Sequence, residues 1–145
     1  MVAKKIIFCF FGVIPRSIKY TYQSIKENIL DVLSKNNYKV DIYVFNLNVG
    51  YTLVDNNSMN QEDINIIPYN FYEEYLQDDL DIDIEKLNKV ANLKFRTNYT
   101  KQNTQNALRQ MYSEYRVGLF LEKIKNNYDI SIICGPDYYL SLIHI

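Results

Sequence analysis

Two hydrophobic periods alternate along this chain, and they predict alternating strands and helices. Lys5 to Phe11 is an apolar run without a polar break after its first residue, as expected of a strand covered on both faces of a parallel sheet. Gly12 ends it. From Ser17, a suitable N-cap, Ile18, Tyr22, Ile25, Ile29, Val32 and Leu33 recur at spacings of three and four, which predicts a one-sided helix to about Asn36. Val40 to Phe45 (VDIYVF) follows as a second β-branched and aromatic strand, so strand, helix and strand make a parallel crossover unit.

The polar stretch Asn46 to Asn60 reads as a loop at the carboxyl end of that strand. Ile64 to Ile67 reads as a short strand closed by Pro68, Tyr69 to Leu80 shows no clear period, and Ile84 to Leu93 reads as a short helix. Thr97 to Asn103 is a polar connector. From Thr104 to Asn126 a stripe of Leu108, Met111, Tyr112, Tyr115 and Leu119 predicts a long helix, and Asp129 to Cys134 predicts the last strand. The order implies a doubly wound α/β domain, with a mostly parallel, Rossmann-like sheet whose first and last strands are central.

Composition narrows the function classes. Sixteen Lys and Arg stand against 17 Asp and Glu in 145 residues, so no surplus of positive charge exists to hold nucleic acid or an anionic membrane. Lys4-Lys5 and the apolar run to Ile14 have the outline of a signal peptide, but Pro15-Arg16 interrupts it and no small-residue cleavage site follows. No apolar run reaches the roughly 18 residues of a membrane span. A cytoplasmic protein with Cys9 and Cys134 as buried free thiols is expected. His144 is the only histidine and stands next to the chain end, which removes the support for a Ser-His-Asp or Cys-His centre. A phosphoacceptor receiver needs an acidic pair after the first strand, where this chain has Phe10, Phe11 and Gly12.

Ligands of open parallel sheets bind outside the carboxyl ends of the strands, at the point where strand order reverses. Three segments reach that place: Gly12 to Ser17, Asn46 onward, and Gly135 to Tyr139. In the first, a glycine admits close approach, a helix N-terminus favours an anion, and the Arg16 guanidinium can grip phosphate oxygens in pairs. Its spacing matches neither the Walker loop nor the dinucleotide glycine pattern. Asp137 lies just past a buried strand, where a carboxylate can hold a divalent cation against phosphate. Arg109, near the positive end of the long helix, is placed for a bound anion. Asp81-Ile82-Asp83 reads as a solvated helix start rather than a metal site.

The ordered succession of IIFCFFGVIPR (Ile6 to Arg16), VDIYVF (Val40 to Phe45), NALRQMYSEYRV (Asn106 to Val117) and YDISIICGPDYYL (Tyr128 to Leu140) resembles the small nucleotide-sugar glycosyltransferases of the GT-A type, frequent in large DNA viruses and bacterial surface-glycan loci. The resemblance implies transfer of a sugar from a nucleotide-diphosphate donor to a glycan or other acceptor. It implies donor contacts at Gly12 and Arg16, a nucleoside contact at Asn46, and Asp137 as the ligand of Mn or Mg; Gly135 stands where such proteins often carry an arginine. Those proteins continue beyond the last strand. The expectation is therefore a donor-binding part over residues 1–140, incomplete at its C-terminal end, with Ser141 to Ile145 as a non-native tail. The rival from another class is a noncatalytic α/β domain that binds a nucleotide or a partner protein.

Overall fold

The computed structural model describes residues 2–50, 53–54, 57–91 and 101–136. Among the described residues four parallel strands form the sheet: β1 (Lys5–Gly12), β2 (Lys39–Asn48), β5 (Phe71–Leu76) and β6 (Ile130–Cys134), in the order β5-β2-β1-β6. The short strands β3 (Leu53–Val54) and β4 (Asn57–Ser58) pair antiparallel between β2 and β5 in sequence. The α/β architecture expected from the hydrophobic pattern is present. Numbered along the sheet, the order is that of half a doubly wound fold, and it reverses between β1 and β6.

Strand alternation sends side chains of the two inner strands to two different cores. Phe8, Phe10, Ile42 and Val44 pack under α1 (Ile14–Ile25), whose Ile14, Ile18, Tyr22 and Ile25 face them. Ile7, Cys9, Tyr43 and Phe45 face α4 (Lys101–Ile124) through Val117 and Phe120. Phe8, Phe10, Tyr43 and Phe45 are each fully buried, and each such side chain contributes about 1.5–3 kcal/mol relative to an exposed one. Leu80 and Ile84 of α3 (Gln77–Ala91) close a third cluster with Leu47.

Several elements differ from the pattern-based expectation, each for a physical reason. Helix α1 starts at Ile14 rather than after Ser17, because the fixed φ and missing N–H of Pro15 suit a first helical turn. It continues through one π turn, Lys26–Leu30, into α2 (Asp31–Lys35). The extra residue in that turn rotates α2 about the helix axis, and Val32 comes out 46% exposed although its spacing predicts a core position. Asn37, at φ 64°, ends α2 with its N–H on Ser34 and the Tyr38 N–H on Leu33, the double bond of a Schellman turn.

Ile64 to Ile67 is no strand. A 3₁₀ helix spans Gln61–Ile66, started by the Asn60 side chain accepting the Glu62 N–H, and Ile64 and Ile67 drop onto the α1 core from successive turns. The stretch without a clear period holds edge strand β5 instead, with α3 beginning at Gln77, seven residues before the expected start at Ile84. On α4 the predicted stripe is largely turned outward. Met111, Tyr115 and Leu119 are exposed, Leu108 and Tyr112 are partly buried against the clusters on that side, and Val117 and Phe120 meet the sheet. Among the described residues strand β6 is an edge of the sheet rather than a central strand, and Ile130 and Ile133 on its two faces are half exposed.

Candidate functional site

One row of residues crosses the carboxyl edge of the sheet. Gly12 of β1 is in register with Asn46 of β2, and Asn46 with Glu74 of β5. Pro136, after β6, sits on the other side of Gly12, its Cδ 3.8 Å from where a Cβ would stand. Gly12 has φ 111°, a conformation that side-chain-bearing residues avoid, so the turn into α1 needs a glycine for its backbone. Thr21 of α1 donates its hydroxyl to the Pro136 carbonyl at 2.5 Å and so ties the turn after β6 to the helix that follows β1. The switch point between β1 and β6 is thus lined by Gly12 and Pro136.

Asn46 is 1% exposed and works with both ends of its amide. Its Oδ1 accepts the Ile14 N–H at 3.2 Å, and its Nδ2 lies 3.3 Å from Glu74 Oε2 and 3.4 Å from the Tyr72 hydroxyl. Val13, at the N-cap position, offers no side-chain acceptor, so β2 supplies the cap for α1. The consequence for an anion at this helix start is direct. The Ile14 N–H is taken, Pro15 has none, and the Arg16 N–H turns back on the Val13 carbonyl at 3.3 Å. Phosphate binding there would fall to the Arg16 side chain, which is exposed, more than to the backbone.

The carboxylate of Glu74 is the hub of the row. Oε2 accepts the Tyr72 hydroxyl at 2.5 Å together with the Asn46 amide, and Oε1 accepts Asn48 Nδ2 at 3.1 Å. The other end of the Asn48 amide accepts the Gly50 N–H at 2.8 Å, and Gln61 Nε2 donates to the Gly50 carbonyl at 3.1 Å, which extends the network into the loop after β2. Burial pushes the Glu74 carboxyl up, but the hydrogen bonds from Tyr72, Asn48 and Asn46 together outweigh it and hold the group below its ordinary range. Tyr72 is driven the other way by burial and by donating to that carboxylate, and it stays a protonated donor.

The structure brings Gly12 and Asn46 together and sets Arg16 on the first turn of the adjoining helix. Arg109 goes elsewhere. Its Nε donates to Asp81 Oδ1 at 2.8 Å and its Nη2 to Asp81 Oδ2, a two-pronged ion pair between α4 and α3 with both side chains largely covered. The anion that the helix position calls for is a carboxylate of the same chain. Asp81 is accordingly a half-buried member of α3 and not part of a solvated helix start, while Asp83 stays exposed. Asp137, the predicted metal ligand, lies outside the described residues. Among those described, no three His, Cys, Asp or Glu side chains gather where they could share a cation.

Sequence patterning does not single out Glu74, Tyr72 or Asn48. The alternation in Asn46-Leu47-Asn48 is the available signal, since it continues the period of β2 by two residues and carries a second amide to the same face. No family model, curated protein or solved structure matches the chain. No described helix is long and apolar enough to cross a membrane.

Proposed function

We propose that this chain is the donor-binding part of a GT-A type glycosyltransferase, holding a nucleotide-diphosphate sugar across the carboxyl ends of β1, β2 and β5. The observation that carries the proposal is the Gly12, Asn46, Glu74 row, which starts at the strand-order reversal, where open α/β sheets bind ligands, and carries two polar side chains from there to β5. In this assignment Arg16 takes the diphosphate, the backbone at Gly12 allows its approach, and Asn46 positions both by bridging α1 to β5. Mn or Mg would enter with the diphosphate, on Asp137. The glycan acceptor would meet the donor on the same edge, in the cytoplasm.

Titration calorimetry of the whole chain with UDP- and GDP-sugars, with and without Mn, tests the proposal. Micromolar to millimolar binding, weakened at least tenfold by Arg16→Ala, supports it. Absence of binding, or binding indifferent to Arg16→Ala, refutes it.

A noncatalytic interaction domain is the second assignment, favoured by the outward Met111, Tyr115 and Leu119 on α4. A nucleotide-blind chain that forms a stable complex lost on Tyr115→Lys would decide for it.

A further inference from the structure

The two adjacent glutamates of β5 have opposite fates. Glu73 points to the α4 face, where it accepts the Tyr43 hydroxyl at 3.0 Å and faces the Arg116 guanidinium at 3.5 Å. That guanidinium lies 5.4–5.9 Å from the ring centres of Phe45, Tyr75 and Tyr112, so Glu73 has a cation partner held beside it. Glu74 points to the α1 face at the solvent edge. Its partners are two amides and a phenol, all uncharged, and no Lys or Arg among the described residues pairs with it. Among the described residues, an oriented and ionised carboxylate is left without a cation at the rim of the proposed site.

The geometry limits what such a group can recognise. A carboxylate has about four lone-pair positions, and three are filled by Tyr72, Asn46 and Asn48, two on Oε2 and one on Oε1. What remains is one acceptor position on Oε1, with its direction set by three fixed donors. A phosphate is an anion near neutral pH and is repelled. A hydroxyl fits. Glu74 stands two strands from Gly12 in the same row, about 10 Å at the usual strand spacing, a span that separates the hydroxyl end from the phosphate end of one nucleotide.

We propose that Glu74 reads a ribose hydroxyl of a nucleoside diphosphate whose phosphates lie toward Gly12 and Arg16. The inference rests on the nucleotide-binding assignment above and adds to it the direction of the ligand and the group that selects it. Tyr72, Asn46 and Asn48 are positioning residues, since each has its polar end committed to Glu74.

The experiment is calorimetry on the whole chain with UDP and GDP against their 2′,3′-dideoxy forms, for wild type, Glu74→Gln and Glu74→Ala. Wild type is expected to prefer the ribose forms by about 10- to 100-fold, the usual worth of a hydrogen bond to a charged acceptor. Glu74→Ala should bind both forms alike and Glu74→Gln should keep a small part of the preference, with thermal melts confirming that each variant is folded. A wild type that binds UDP or GDP without preference, or a preference that survives Glu74→Ala, overturns the inference while leaving the nucleotide assignment standing. A wild type that binds no nucleoside diphosphate defeats that assignment. In that case uridine and guanosine are titrated at millimolar concentration by NMR. Shifts of the Asn46, Asn48 and Glu74 amides that vanish with the 2′,3′-dideoxynucleosides uphold the hydroxyl site, and their absence overturns it.

Discussion

The side-chain oxygen of Asn46 accepts the backbone N–H of Ile14 at 3.2 Å, so the first turn of α1 is capped from the neighbouring strand. The same amide reaches Glu74, and one buried side chain therefore joins the β1–α1 turn to the edge strand β5. Removing it should loosen both. Asn46→Ala is expected to cost about 1–3 kcal/mol, combining a lost cap with an N–H left unpaired in the interior. Urea denaturation at constant m-value measures it.

Asn46→Asp separates the cap from the bridge. The new carboxylate can still accept the Ile14 N–H, but from its buried position it sits against the Glu74 carboxylate. Two like charges there raise a folded-state pKa, so the folded protein binds protons more readily than the unfolded chain. The variant should be less stable than wild type at pH 7 and recover as pH falls toward the carboxylate range. A stability deficit that is flat from pH 7 to pH 4 would refute the repulsion.

Glu74 in the wild type has the opposite sign. Its folded pKa is held below the ordinary carboxylate value, so its contribution to stability is present above the unfolded pKa and is lost as pH falls through the folded one. The stability difference between wild type and Glu74→Gln should be constant above about pH 5.5 and shrink below about pH 4.5, the ordinary range of a glutamate. A difference that grows on acidification contradicts the hydrogen-bond arrangement around this carboxylate.

How far each element is legible in the sequence depends on the depth of its burial. The middles of β1 and β2 are covered on both faces, so Ile6 to Phe10 and Ile42 to Phe45 are apolar, Asp41 standing where β2 is only partly covered, and both strands are legible. β5 is an edge strand of sequence FYEEYL, with Phe71 and Tyr72 partly in solvent and Glu73 and Glu74 serving different faces, so neither alternation nor a continuous run survives. Asn46 is legible as a site residue because it is the first polar residue after the apolar run that closes at Phe45. Its partner Glu74 is not, because their adjacency is a matter of register between strands 28 residues apart. On α4, aromatic and apolar residues occur on two faces, and periodicity does not say which one the sheet takes.

That ambiguity makes a direct test of helix orientation. Val117 is fully buried and Phe120 stacks near the sheet, its ring 3.8 Å from Tyr43 and 5° from parallel. Phe120→Ala should cost about 3–5 kcal/mol, whereas Met111→Lys and Tyr115→Lys should each change stability by less than about 0.5 kcal/mol. The reverse ranking would mean that α4 is rotated onto the outward part of its predicted stripe, Met111, Tyr115 and Leu119.

The two thiols report on the two cores, Cys9 on the α4 side of the sheet and Cys134 on the α1 side. Burial pushes the Cys9 thiol up to about 12 and the Cys134 thiol up to about 11. Neither carries appreciable thiolate at pH 8, and neither is reachable in the folded state. Both should resist iodoacetamide or an aromatic disulfide at pH 8 and react together on denaturation, with a stoichiometry of two. Rapid labelling of Cys134 alone in native conditions would show that the β6 edge opens by itself.

Arg109 and Asp81 decide between two roles for one guanidinium. Their two-pronged pair is mostly shielded from water and joins α4 to α3, so truncating either partner strands a covered charge. Arg109→Ala and Asp81→Ala should each cost about 1–3 kcal/mol, and a double-mutant cycle should return a coupling of at least about 1 kcal/mol. Were the pair purely structural, affinity for UDP or GDP would stay within about twofold in Asp81→Ala, because the freed guanidinium has no ligand to serve. A gain in nucleotide affinity in that variant would instead mean that Asp81 occupies the place of a phosphate, and that Arg109 belongs to the donor site after all.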